Sequence, residues 1–209
     1  MGFLKQITEK PWLPPEPNDG SEMAIDGSES TANVAPQRIA LRLFLLVAFT
    51  LFSLFCVAYY VRMELDDWRP LTEPSLVWTN TLIILLGSVA FQTATWAIRN
   101  NKDKLSQYMF VAGGVLTLAF LVGQYSAWNE LRDAGYYAVV NPANAFFYVL
   151  TGVHAAHLLG GLAVWVRTLI RMVYKSQDSK IRLSIELCTT YWHFLALVWL
   201  GILWILIST

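Results

Sequence analysis

Five stretches of this chain, residues 43–61, 77–98, 108–128, 146–166 and 187–207, contain no Asp, Glu, Lys or Arg. A helix rises about 1.5 Å per residue, so about 20 apolar residues cross a hydrocarbon core about 30 Å thick. Each stretch is that long. Hydrocarbon offers no partner for backbone N–H and C=O groups, so a spanning segment must satisfy them internally, and the apolar runs are read as helices. The fold class is therefore all-α: a polytopic membrane protein, a bundle of five transmembrane helices. A composition of 56% hydrophobic and 14% charged residues excludes an ordinary soluble domain. The formal net charge of zero says nothing about partners until the charges are placed by side, and nucleic acid is not an expected partner.

The charges sort by side. With the N-terminus inside, Lys5, Lys10, Arg38, Arg42, Arg99, Lys102, Lys104, Arg167, Arg171, Lys175, Lys180 and Arg182 lie inside, and Arg62, Arg69 and Arg132 outside. Twelve against three predicts a cytoplasmic N-terminus by the positive-inside rule, and five spans then put Thr209 outside. Trp68, Trp78, Trp128 and Tyr136 fall near the outer ends, where amphipathic rings prefer the headgroup region.

Residues 1–37 hold six carboxylates and the Pro14–Pro15 pair without apolar periodicity. They read as an extended arm, ordered only where a partner covers Phe3, Leu4 and Trp12. The five-helix domain occupies residues 38–209. The arm has no apolar core behind its first basic residues, so no secretory signal is expected, and Gln6 does not fit a myristoylation motif. Cys56 and Cys188 lie in or beside different spans and read as small apolar filler.

Candidates for chemistry are the polar residues inside the spans: Gln92, Thr93 and Thr95 in the second, Gln124, Tyr125 and Ser126 in the third, and His154, His157 and His193 in the last two. Such groups are costly in hydrocarbon unless paired, so they should face the bundle interior. Gly152, Ala156 and Gly160 recur every four residues and form a stripe of small side chains that permits close backbone approach. On the fifth helix, from the inner boundary inward, Glu186, Thr190, His193 and Leu197 fall within about 40° on a helical wheel. His157 and His193 lie at depths about one turn apart and are placed to share a hydrogen-bond network. A metal is the competing use, since His154 and His157 at i, i+3 can chelate one ion. A third carboxylate or thiolate ligand is missing at that depth, and a heme needs ligands on opposite faces. Ser126 and Thr189 lack a carboxylate-oriented base. No internal repeat suggests a carrier.

The run Phe146-Phe147-Tyr148-Val149-Leu150-Thr151-Gly152-Val153-His154-Ala155-Ala156-His157-Leu158-Leu159-Gly160-Gly161 resembles the signature helix of heme-copper oxidase subunit III. Glu186, Tyr191-Trp192-His193-Phe194 and Val198-Trp199 resemble that family's last helix. Asn80-Thr81 with Leu82, Leu85 and Leu86, and Gln124, Ser126 and Glu130, resemble the helices before it. The resemblance covers residues 40–207 and implies a short, five-helix form matching the last five of the family's usual seven helices.

What it implies is a non-catalytic subunit of a respiratory terminal oxidase, the cytochrome c oxidase type, in a bacterial inner membrane. Such a subunit contacts subunit I directly, assembles with subunit II and other members, binds phospholipids, and supports assembly and sustained proton-coupled oxygen reduction. Hemes and copper are expected in the partner subunits and none in this chain. Quinol oxidases and nitric oxide reductases have relatives of the same kind, and a histidine-ligated redox or metal protein is the reading from another class. The resemblance makes Gly152, His154, Ala156, His157, Gly160, Glu186, Thr190, Tyr191, Trp192 and His193 a helix-packing and polar network, with the three histidines tying the fourth and fifth helices together. Arg167, Arg171, Lys175, Lys180 and Arg182 become candidates for lipid headgroups. Ala48, Ala127 and Ala196 stand where the family carries intramembrane carboxylates, so the implied roles are structural support and lipid binding rather than a proton relay through this chain.

Overall fold

The computed structural model describes residues 36–66, 68–69, 76–139, 141–174 and 179–208; the expectations for the arm up to residue 35, and Lys175, lie outside the described residues. Five helices follow in order: α1 (Pro36–Met63), α2 (Leu76–Arg99), α3 (Asp103–Asp133), α4 (Pro142–Tyr174) and α5 (Ser179–Ile207). All five are long and apolar enough to cross a membrane, and no strand occurs among the described residues. Each extends beyond its charge-free run, α1 starting at Pro36 rather than residue 43 and α3 ending at Asp133 rather than 128. The apolar run marks only the hydrocarbon part, whereas backbone hydrogen bonds continue into the polar layer where charges are solvated.

The helix ends use residues chosen for their backbone. After α2, Asn101 takes the left-handed conformation (φ 56°), and Lys102 N–H donates to the Ala97 carbonyl at 2.9 Å. After α3, Gly135 does the same (φ 84°), with Tyr136 N–H on the Leu131 carbonyl at 2.9 Å. Both close as Schellman turns that satisfy otherwise orphaned carbonyls. Helix α4 opens on Pro142, with Asn141 accepting from the Ala143 N–H at 3.3 Å. The same side chain reaches the connection after α1, donating to the Arg69 carbonyl at 2.6 Å and accepting its N–H at 3.4 Å.

Helices α2, α3, α4 and α5 each pack against the next, and α5 returns to α2, giving a closed four-helix ring; α1 lies outside it, against α4 and α5. The ring's interior is aromatic. Phe91 stacks on Trp192 at 5.1 Å between centroids and meets Phe110 edge-on at 5.5 Å. Toward the Asn141 end, Phe52, Tyr59, Phe147, Leu150 and Ile202 form a second cluster that seats α1.

Glycines decide where these rings fit. A Cβ on Gly114 would stand 2.1 Å from the Trp165 indole, whose Nε1 donates to the Phe110 carbonyl at 2.9 Å, and one on Gly161 would stand 2.6 Å from the Tyr191 ring. Substituting Gly114→Ala therefore overfills the α3–α4 contact. A loss of about 1–3 kcal/mol is expected, read as a lower unfolding temperature of the purified chain; an unchanged temperature would show that the indole moves aside freely.

Candidate functional site

The α2–α5 contact is a ladder of polar pairs. Near one end Arg99 Nε donates to Glu186 Oε1 at 3.0 Å, while Arg38 of α1 takes Glu186 Oε2 at 2.6 Å. One turn on, the Thr95 and Thr189 hydroxyls lie 2.7 Å apart. Thr189 gives its proton to the Phe91 carbonyl at 3.1 Å, so Thr95 is the donor between them. His193 comes next, with Nδ1 hydrogen-bonded to Ser88 and Nε2 2.9 Å from Gln92 Oε1. A carboxamide oxygen only accepts, so Nε2 carries the ring proton and the Ser88 hydroxyl donates to Nδ1. Trp199 Nε1 completes the ladder by donating to Thr81 Oγ1 at 3.0 Å. Thr81, Ser88, Gln92, Thr95 and Arg99 follow at i, +7, +11, +14 and +18, a single helical stripe.

The three histidines therefore do not act together. His193 bonds to α2, not to α4, which corrects the shared His157–His193 network: Tyr191, two residues away, points roughly 160° from it on the wheel, and its hydroxyl donates to the His157 carbonyl at 2.8 Å. The His157 ring bonds its own helix, Nδ1 to the Val153 carbonyl at 2.8 Å, and lies against Phe52 and Phe44 of α1. His154 is wholly buried among Phe52, Phe120 and Trp199. Among the described residues, no three His, Cys, Asp or Glu side chains gather as a metal site would need.

The small-residue stripe faces the other way. A Cβ on Gly152 or Gly160 would meet nothing within 4 Å, and Ala156 is exposed, so none of the described helices uses the close approach they permit. Of the other expected residues, Trp192 is buried in the ring, whereas Thr190 is exposed and its hydroxyl donates to its own helix at the Glu186 carbonyl. Arg167, Arg171, Lys180 and Arg182 are exposed. Arg182 is engaged, donating to the Ile98 carbonyl and Asn101 Oδ1, both at 3.2 Å, across the α2–α3 turn. Sequence reading passed over Ser88, Asn141 and Trp165. The regular stripe on α2 points to the first, and an Asn directly before Pro142 is a helix-start signal for the second.

The model of the family described as cytochrome c oxidase subunit III matches residues 20–208. The chain belongs to that family. Among its relatives is the cytochrome c oxidase subunit 3 of Synechocystis sp., 29% identical over 79% of this chain and 72% of the relative. The subunit 3 of cytochrome bo(3) ubiquinol oxidase from Buchnera aphidicola is 26% identical over 60% of this chain and 67% of the relative. The chain covers 48% of the wheat cytochrome c oxidase subunit 3, at 31% identity. Membership makes it a component of a multi-subunit membrane oxidase of the heme-copper type. Ala48, Ala127 and Ala196, where the resemblance implied family carboxylates, are all buried.

Two outcomes follow from the ladder. His193→Leu leaves Ser88 and Gln92 without their partner and is expected to cost about 1–2 kcal/mol, seen as a lower unfolding temperature; an unaltered temperature would remove His193 from the account of stability. Glu186→Gln removes one carboxylate from two partly solvated arginines. A loss of up to about 1 kcal/mol is expected, shrinking as salt is raised; a salt-independent effect would contradict an ionic role.

Proposed function

We propose that this chain is the non-catalytic subunit III of a respiratory heme-copper oxidase, seated on subunit I and helping to assemble and sustain its proton-coupled oxygen reduction. In this reading the hemes and copper belong to the partner subunits, and subunit II and other members complete the assembly. The observation that carries it is the stripe of Gly152, Ala156 and Gly160 on α4, a surface suited to close helix contact that the described residues leave uncovered. Helix α1 likewise offers Leu43, Leu46, Val47 and Leu54, all exposed and apolar. Gly152, His154, Ala156, His157 and Gly160 then shape the partner-facing helix, and Glu186, Tyr191, Trp192 and His193 hold the ring behind it.

The basic asymmetry supports a cytoplasmic N-terminus in a bacterial inner membrane. On that side Arg167, Arg171, Lys175, Lys180 and Arg182 serve phospholipid headgroups, each contributing about 1 kcal/mol near an anionic surface. Relatives are named as subunits of both cytochrome c and quinol oxidases, so the electron donor in this reading is chosen by the other subunits.

The test is a pull-down in mild detergent through a tag on this chain, with subunit identification and a visible spectrum. Heme bands should track a larger co-purifying subunit and be absent from this chain when it is stripped away and examined alone; heme kept by the isolated chain would overturn the reading. Gly160→Leu sharpens it, because the site is open within the chain. The variant should keep its own unfolding temperature yet lose several-fold in co-purification, whereas undiminished co-purification would move the partner contact elsewhere.

A further inference from the structure

At the centre of the ring, toward the Asn141 end, five polar side-chain atoms lie buried with no hydrogen-bond partner among the described residues: Asn80 Nδ2, Gln124 Oε1 and Nε2, and His154 Nδ1 and Nε2. Their residues come from α2, α3 and α4, and each is at most 1% exposed. The contacts around them bring the three together. On α3, Trp128 Nε1 donates to Thr151 Oγ1 at 3.0 Å, and Phe120 meets the His154 ring edge-on at 5.9 Å. Gln124 lies one turn from each of these on the same face, so it stands opposite α4 at the level of His154. Asn80 projects from α2 against the neighbouring Gly123, where a Cβ would sit 2.1 Å from Asn80 Oδ1. Trp199 of α5 closes the fourth side, 5.4 Å from His154 and hydrogen-bonded to Thr81.

We propose that Asn80, Gln124 and His154 form a built site for internal water at the centre of the four-helix ring. An unpaired amide or imidazole buried in hydrocarbon costs several kcal/mol in transfer terms, which explains why such groups are bridged when they cannot reach each other. The chemistry of the five atoms selects the occupant. Asn80 and Gln124 supply N–H donors, Gln124 Oε1 accepts, and a neutral imidazole supplies one donor and one acceptor. A metal cation would find only two acceptors, and an anion would leave those two unpaired. Water donates and accepts. A buried water makes about 2–4 hydrogen bonds, so about one or two molecules suffice. Gly123 belongs to the site because any side chain there would drive Asn80 out of it. The bridged knot joins α2, α3 and α4 where the polar ladder of α2 and α5 ends.

The test uses the full chain with whatever subunits purify with it. A structure resolving ordered water is expected to show density within hydrogen-bond distance of at least two of Asn80, Gln124 and His154. A direct Gln124–His154 contact with no density between them would overturn the site. X-ray hydroxyl-radical footprinting gives an independent reading, because radicals formed from a trapped water oxidise the rings beside it. Phe120 and Trp199 should be labelled despite their burial, and labelling should fall several-fold in Gln124→Met, whose side chain keeps the length but not the amide. Unlabelled rings in the unaltered protein, or equal labelling in the variant, would count against bound water.

Discussion

Everything in this subunit depends on polar side chains finding partners in hydrocarbon, and the α2–α5 ladder is where that requirement organises the fold. Arg99–Glu186, Thr95–Thr189, Gln92–His193–Ser88 and Thr81–Trp199 run from Thr81 to Arg99 on α2 and from Glu186 to Trp199 on α5 and set their register. Individually such interhelical bonds are modest, about 0.6 kcal/mol each. Their effect is selective: a slip of one helix by a single residue would break every rung at once. Packing then follows register, with Phe91 and Trp192 stacked between the rungs and Trp165 held against Gly114. The bundle closes because α5, held against α2, also presents Tyr191 to α4.

The number and type of helices were legible in the sequence because charge exclusion over some 20 residues has no other common reading. Their ends were not, since helix α3 keeps turning from 128 to Asp133, where side chains reach the polar layer and the apolar criterion stops reporting on the backbone. Of the polar residues expected in the interior, Thr95, Gln124 and His154 are buried, whereas Gln92, Tyr125 and Ser126 are exposed, because which face of each helix is covered depends on which helix faces which. Depth alone put His157 and His193 together. The wheel separates Tyr191 from His193, and only the observed neighbours show that the first meets α4 and the second α2. The stripe of Gly152, Ala156 and Gly160 lies open among the described residues, while the close contacts lie at Gly113, Gly114, Gly123 and Gly161.

A division of labour emerges from this geometry. The ring is sealed by aromatic packing and paired polar groups, and its outer faces carry what an assembly subunit needs: a long apolar α1, an open small-residue face on α4, and solvated arginines at the Glu186 end. Ala48, Ala127 and Ala196 are buried within this packing.

Cross-linking in native membranes tests the ladder most directly. In a chain with Cys56 and Cys188 replaced by Ala, the pair Thr95→Cys and Thr189→Cys should form a disulfide on mild oxidation, because the two hydroxyls are 2.7 Å apart. A control pair, Thr95→Cys with Gly160→Cys, should stay reduced. Efficient Thr95–Thr189 cross-linking within one chain would establish the register of α2 on α5; its absence in a folded chain would contradict the arrangement on which the rest is built.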